Sequence, residues 1–266
     1  MKKKISLIFL ILVSFLTILY YPLIKSMFIM YFYSMMEENH SIMEKRDFKI
    51  SIPGGFSTPE KDWYPFVMIF NDDQFSKMVD KDIKLTILYN FGTFNGKHSS
   101  FYQKDSDYYS AFYGAYVIEN SNLKEIYGIT DGNINEEEIK SLAKYDLSTL
   151  VLDSMGCPYK DIDFHIIQIH KDVQYLSYTD WIRVDTVVQS RSPLHEYKKD
   201  YSAYIQYGKP PAHFEGEDFE KINLLGRMYC RYFEEIQCTV LLYIIAPEGK
   251  IVDDTDKEIL SKIDIE

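Results

Sequence analysis

The chain has 266 residues with a formal charge of −11, 46% hydrophobic and 26% charged side chains. With that balance disorder is not the expected state, and the length leaves room for one large or two small domains. Residues 1–46 hold six Lys/Arg against three Glu, so the acidic excess lies in the remainder, which argues against nucleic acid and suits a soluble domain or a basic protein partner.

Tyr (23) and Phe (17) account for most of an aromatic content of 16%. Codon bias in an AT-rich genome explains this, since Lys, Ile and Asn are also frequent; the sharper reading is a Tyr-rich recognition surface. Cys157, Cys230 and Cys238 show no CxxC spacing, so neither a disulfide framework nor a zinc ribbon is expected. Cys230 and Cys238 alone are near enough in sequence to bridge easily, although an apolar core position is the commoner fate of such residues.

Behind Lys2-Lys3-Lys4 comes an apolar run from Ile5 to Ile24. Twenty helical residues span about 30 Å, the thickness of a bilayer's hydrocarbon core. The run exceeds the apolar part of a signal peptide and no small-x-small site follows it, so an uncleaved anchor in the lipid bilayer is expected. Tyr20 and Tyr21 suit an interfacial belt, and the amino-side lysines place the N-terminus in the cytoplasm. Met27 to Met36 reads as a stalk into the headgroups. The expected organisation is residues 1–46 as cytoplasmic tip, anchor and stalk, and 47–266 as an extracytoplasmic α+β domain.

From Phe48 to Ile52 the pattern alternates as a strand, and Pro53-Gly54-Gly55 predicts a turn. A turn at Thr58-Pro59 is followed by a strand over Pro65 to Phe70 and a short helix, Gln74 to Val79, burying Phe75, Met78 and Val79. Lys84 to Asn95 is apolar on both faces and should pair with Tyr108 to Glu119, across the polar loop Gly96 to Asp107.

Asp131 to Glu136 resembles the opening of a calcium loop, but the sixth and twelfth positions are Glu136 and Leu142 instead of Gly and Glu. A helix capped by Asn135, with Glu138 at its third position, accounts for the residues better. Its apolar stripe is Ile139, Leu142, Ala143, Leu147, Leu150 and Val151, with Gly156 and Pro158 as the stop. Strands are expected at Asp163 to His170, Trp181 to Gln189 and Tyr201 to Tyr207, forming a second antiparallel set broken at Pro210-Pro211.

Phe219, Ile222, Leu225, Tyr229, Tyr232 and Ile236 fall at helical spacing, predicting a helix over Asp218 to Glu235. A strand over Cys238 to Ala246 turns at Pro247-Glu248-Gly249, and Thr255 with Glu258 reads as the capping box of a terminal helix ending near Ile263. Residues 107–112 and 200–204 share an Asp-Tyr-x-Ala-like pattern, raising an internal duplication into two similar halves.

No GxSxG, HExxH, phosphate loop or dinucleotide-binding glycine pattern is present. The best nucleophile candidates are Ser154 and Cys157, with His165 and His170 nearby. A helix C-terminus disfavours a thiolate, however, and five-residue spacing puts the two histidines on opposite strand faces. The acidic clusters Glu215-Gly216-Glu217-Asp218 and Asp253-Asp254-Thr255-Asp256 read as helix starts before cation sites; His40, His98, His195 and His213 show no ligand spacing. No catalytic, cofactor or metal residue is therefore assigned. The expected fold is an α+β antiparallel-sheet domain with two or three packed helices behind a transmembrane helix. The expected function is a binding module of the bacterial cell envelope, with an immunity-type role against a basic toxin as one version and an envelope hydrolase as the alternative.

Overall fold

The computed structural model describes residues 2–19, 21–54, 64–91, 111–122, 125–153, 161–191 and 221–266. Outside these lie the Thr58-Pro59 turn, the loop over 96–107, the Gly156/Pro158 stop, the strand over 201–207 with its Pro210-Pro211 break, and nearly all of the residues behind the internal duplication.

The element order is helix α1 (Lys2–Leu19), α2 (Tyr21–Glu38), α3 (Ile42–Lys45), strand β1 (Ile50–Ser51), β2 (Tyr64–Phe70), α4 (Asp73–Val79), β3 (Ile83–Phe91), β4 (Phe112–Asn120), β5 (Ile129–Thr130), β6 (Asn133–Ile134), α5 (Glu136–Tyr145), a π-turn (Asp146–Asp153), β7 (Asp163–Tyr175), β8 (Tyr178–Arg191), β9 (Lys221–Phe233), β10 (Cys238–Ala246), α6 (Gly249–Glu258), a 3-10 turn (Leu260–Lys262) and β11 (Asp264–Ile265).

Seven strands form one antiparallel sheet in the order β2-β3-β4-β10-β9-β8-β7. The chain lays down β2 to β4 as a meander and crosses to the far edge. It then returns through β7, β8 and β9, so that β10 closes against β4. The two strand sets expected from the sequence are thus one sheet, joined at the β4–β10 seam. Residues along that seam are buried on both sides, which explains why β10 reads as an unbroken apolar run.

One face of the sheet buries Ile87, Tyr116, Leu241, Cys230 and Val184 beneath α4, α5 and the π-turn. The other buries Leu88, Val117, Leu242, Tyr229 and Trp181 beneath α3, α6 and the C-terminal turn. The result is a mixed α+β architecture with a large antiparallel sheet between two helical layers. β1 pairs with β11, tying residues 50–51 to the C-terminus, and Ile42 and Met43 are core residues of the second face, so packing reaches back through α3.

Several elements stand where the sequence places them, including β2, β3 paired with β4, the Asn135-capped α5, and β10. Between β5 and β6, Asp131 and Gly132 take φ of 51° and 69°, the left-handed pair that a two-residue hairpin turn requires. Others differ. Lys221–Phe233 is a strand where a helix is expected, because a strand buried on both faces also supplies apolar residues three and four apart. α6 begins at Gly249, so Thr255 and Glu258 lie in its last turns and cap nothing; Thr255 is wholly buried. In α4, Phe75 and Val79 are buried but Met78 is 46% exposed.

Among the described residues, no helix is long and apolar enough to cross a membrane. α1 begins with three lysines, and the apolar run from Ile5 to Ile24 is shared between α1 and α2. The carboxyl half of α2 packs on the sheet edge: Tyr33 stacks on Phe66 with centroids 5.5 Å apart, and the Val67 N–H donates to Ser34 Oγ at 3.0 Å.

Candidate functional site

Among the described residues, two convergences of polar side chains stand back to back across β8 and β9. On the α6 face, Arg227 donates to Asp185, Asp253 and Asp256 at 3.2, 2.8 and 2.9 Å. Asp256 also accepts from the Tyr175 and Tyr229 hydroxyls at 2.6 and 2.7 Å, while the two rings stack at 3.8 Å. Asp185 is further paired with Arg183 at 2.7 Å and with His170 at 3.4 Å. Burial pulls the Asp185 pKa up, but hydrogen bonds from Arg183 and Arg227 outweigh it and leave the carboxyl below its usual range. Carboxylates on β8 and α6 therefore neutralise one half-buried guanidinium on β9. The network clamps helix to sheet and spends its hydrogen-bonding capacity internally.

This explains the acidic cluster of the sequence: Asp253 and Asp256 lie inside α6 facing Arg227, while Asp254 pairs with Lys250 on the exposed side at 3.3 Å. They are neither a helix start nor, among the described residues, part of a group that could hold a metal ion.

The histidine expectation is also corrected. A register shift between Ile166 and Gln168 adds one residue to β7, so His165 pairs with Val187 and His170 with Arg183. Val187 and Arg183 share a face of β8, and the histidines therefore share one too. They do not converge, since His165 approaches Asp163 at 2.9 Å and His170 faces Asp185. Ser154, Cys157, Glu215 to Asp218, His98, His195 and His213 lie outside the described residues. Cys230 and Cys238 are free and buried, one in each face's core, so the bridge raised by their spacing does not form.

The second convergence lies on the opposite face, under the π-turn. Here a cavity of about 40 Å³ is walled by apolar side chains including Leu147, Val151, Phe164, Val188 and Met228. Gly226 leaves its floor open: a Cβ there would stand 2.4 Å from Thr186 Oγ1. Into this apolar space project Asp146, from the junction of α5 and the π-turn, and the stacked rings of Tyr116 and Tyr243, 4.7 Å apart.

Asp146 is 4% exposed. Its Oδ2 accepts from the Tyr116 hydroxyl, whereas Oδ1 has no protein partner among the described residues. The Tyr243 hydroxyl likewise has no partner of hydrogen-bonding geometry there, and its pKa is raised by burial first and then by the nearby Tyr116 and Asp146. Burial raises the Asp146 pKa well above the ordinary carboxylate value, because it disfavours the charged form.

No protein family, curated protein or solved structure matches this chain. A π-turn, a buried acid and two phenols around an apolar cavity make a pocket with few convergent polar atoms, the usual form of a small-ligand site. Sequence reasoning passed over Asp146, Tyr116 and Tyr243 because they are far apart along the chain and obey no spacing rule; Asp146, an acid amid the apolar stripe from Ile139 to Val151, was the one available signal.

Proposed function

We propose that this chain is a binding module tethered to the cytoplasmic membrane of a bacterial cell, with its N-terminus inside and its sheet domain outside. The observation that carries the tether is the surface of α1, where every side chain from Leu7 to Ile18 is exposed while the sheet domain buries its own apolar residues. Exposed apolar surface of this extent, behind three lysines, suits a bilayer. Residues Ile5 to Ile24 would carry it as a single-pass anchor.

Binding is preferred to envelope hydrolysis for a chemical reason. The Arg227 network is consumed by its own ion pairs, and the Asp146 cavity presents an acid and phenols to apolar walls without an activated nucleophile among the described residues. The acidic domain also suits a basic protein partner, as in an immunity-type role.

The test is membrane fractionation of the full chain with a reporter fused after Glu266. The fusion should remain with membranes after alkaline washing and report from outside the cytoplasm. Replacing Leu10 and Leu12 by Arg should release it. A soluble wild-type fusion, or a reporter active in the cytoplasm, overturns the reading.

A further inference from the structure

The structure assigns the cavity beneath the π-turn as a binding site for a small primary ammonium ion, with Asp146 Oδ1 as its charge partner; this names the ligand class for the binding module proposed above. The argument starts from what the cavity contains. Among the described residues lining it, the one carboxyl is that of Asp146, whose Oδ1 has no protein partner among them. From β7, β8 and β9 it receives Phe164, Thr186, Val188, Gly226 and Met228, none of which titrates; α5 and the π-turn add Ala143, Leu147 and Val151. The titratable neighbours are Tyr116 on β4 and Tyr243 on β10, both held protonated by burial.

Among the described residues nothing basic lines the cavity, so an anion would find no charge partner among them. A neutral ligand brings no charge to offset the burial that disfavours the ionised carboxyl. An ammonium ion supplies the missing positive charge, donates to Oδ1 and reaches the Tyr243 hydroxyl as a second acceptor. The adjacent phenol rings add attraction to their faces. About 40 Å³ admits an ammonium head with a short alkyl tail, and the apolar walls suit the tail.

Proton balance follows from the state of the acid. Whatever proton the Asp146 carboxyl holds, its pKa being raised by burial, passes to solvent as the alkylammonium ion enters, leaving a carboxylate–ammonium pair. Binding therefore releases up to one proton per ligand.

The experiment uses the full chain in detergent micelles or nanodiscs, titrated calorimetrically with methylammonium and ethylammonium chloride. Two buffers of different ionisation enthalpy report the proton, and methanol and ethanol serve as neutral counterparts. Saturable binding of an amine with proton release is expected, with little binding of the alcohols. Asp146→Asn, which keeps the shape and can still accept from Tyr116, should weaken binding by on the order of a hundredfold or more. Asp254→Asn, on the exposed side of α6, should leave it unchanged. Circular dichroism confirms that each variant is folded. Absence of saturation with both amines, or equal binding by Asp146→Asn, overturns the assignment. Equal binding of the alcohols overturns the ligand class yet keeps the pocket, and membrane association in the same samples tests the tether separately.

Discussion

The Ser34 hydroxyl accepts a hydrogen bond from the Val67 backbone N–H at 3.0 Å, joining α2 to the outermost strand of the sheet. β2 is an edge, and an unpaired N–H on an edge is a template for another chain's strand. Here a side chain of the N-terminal helix occupies it, with the Tyr33–Phe66 stack alongside. The helix that leads toward the proposed membrane anchor is thereby part of the sheet's own edge protection.

Ser34→Ala should cost about 1 kcal/mol, the usual net value of such a bond. Its more specific signature is local. Amide exchange at Val67 should accelerate, while exchange at Val117 and Leu242 in the sheet centre follows only the change in global stability. Unchanged protection at Val67 would show that the contact does not hold the edge.

Gly226 offers a test of the cavity floor. A Cβ at this position would lie 2.4 Å from Thr186 Oγ1 and 3.8 Å from Thr186 Cβ, so the clash is with the hydroxyl alone. Gly226→Ala should destabilise by about 1–3 kcal/mol through overpacking. Adding Thr186→Ala should restore much of that loss, giving a favourable coupling in a double-mutant cycle measured by urea unfolding. Strict additivity of the two changes would show that strain elsewhere dominates.

The same glycine marks where sequence reading succeeds and fails. β3, β4 and β10 declare themselves by length and by apolar residues at both parities, and α5 by its Asn135 cap and amphipathic stripe. β9 misleads because Ile222 packs on one face's core while Leu225 and Tyr229 serve the other, and residues of the two faces together imitate a helical stripe. Gly226 weakens a helix and suits a strand pressed against Thr186, so the corrective signal was present but local. Residue spacing does not encode the extra residue in β7 that brings His165 and His170 to one face, nor the meeting of Asp146 with Tyr116 and Tyr243. Those depend on register and on long-range closure of the β4–β10 seam.

Acid stability should rest on two clusters. Burial raises the Glu119 pKa, but Lys84 and Arg46, each 2.8 Å away, outweigh it and hold the carboxyl below its ordinary 4.5. Asp185 is likewise held below 3.8 against its burial, by Arg183 and Arg227. A carboxyl with a depressed folded pKa contributes stability above its unfolded value and loses it as pH falls through the folded one. Wild-type stability contributed by these groups should therefore persist down to the ordinary carboxylate range and fall away below it. Arg227→Met leaves Asp256 and Asp185 without their shared cation and should cost about 3–5 kcal/mol at neutral pH. Arg46→Met should cost less, since Lys84 still pairs Glu119, and should move the acid-unfolding midpoint upward. A circular-dichroism pH titration of each variant checks both shifts.

Asp146 should behave in the opposite sense. Its pKa is raised by burial, so between the unfolded value near 3.8 and the raised folded value the native chain holds a proton that the unfolded chain has lost. Linkage then makes stability fall as pH rises through that window, by up to about 1.4 kcal/mol per pH unit for one such group. Asp146→Asn removes the titration while keeping an oxygen for the Tyr116 hydroxyl. The variant should match wild type most nearly under acid conditions and gain on it steadily as pH increases, an advantage read from urea midpoints across the range. An alkylammonium ligand at saturating concentration should reverse the ordering at neutral pH by stabilising only the wild type. A stability difference that stays flat with pH would mean that Asp146 ionises in the folded protein, and that its burial is compensated by something other than neutrality.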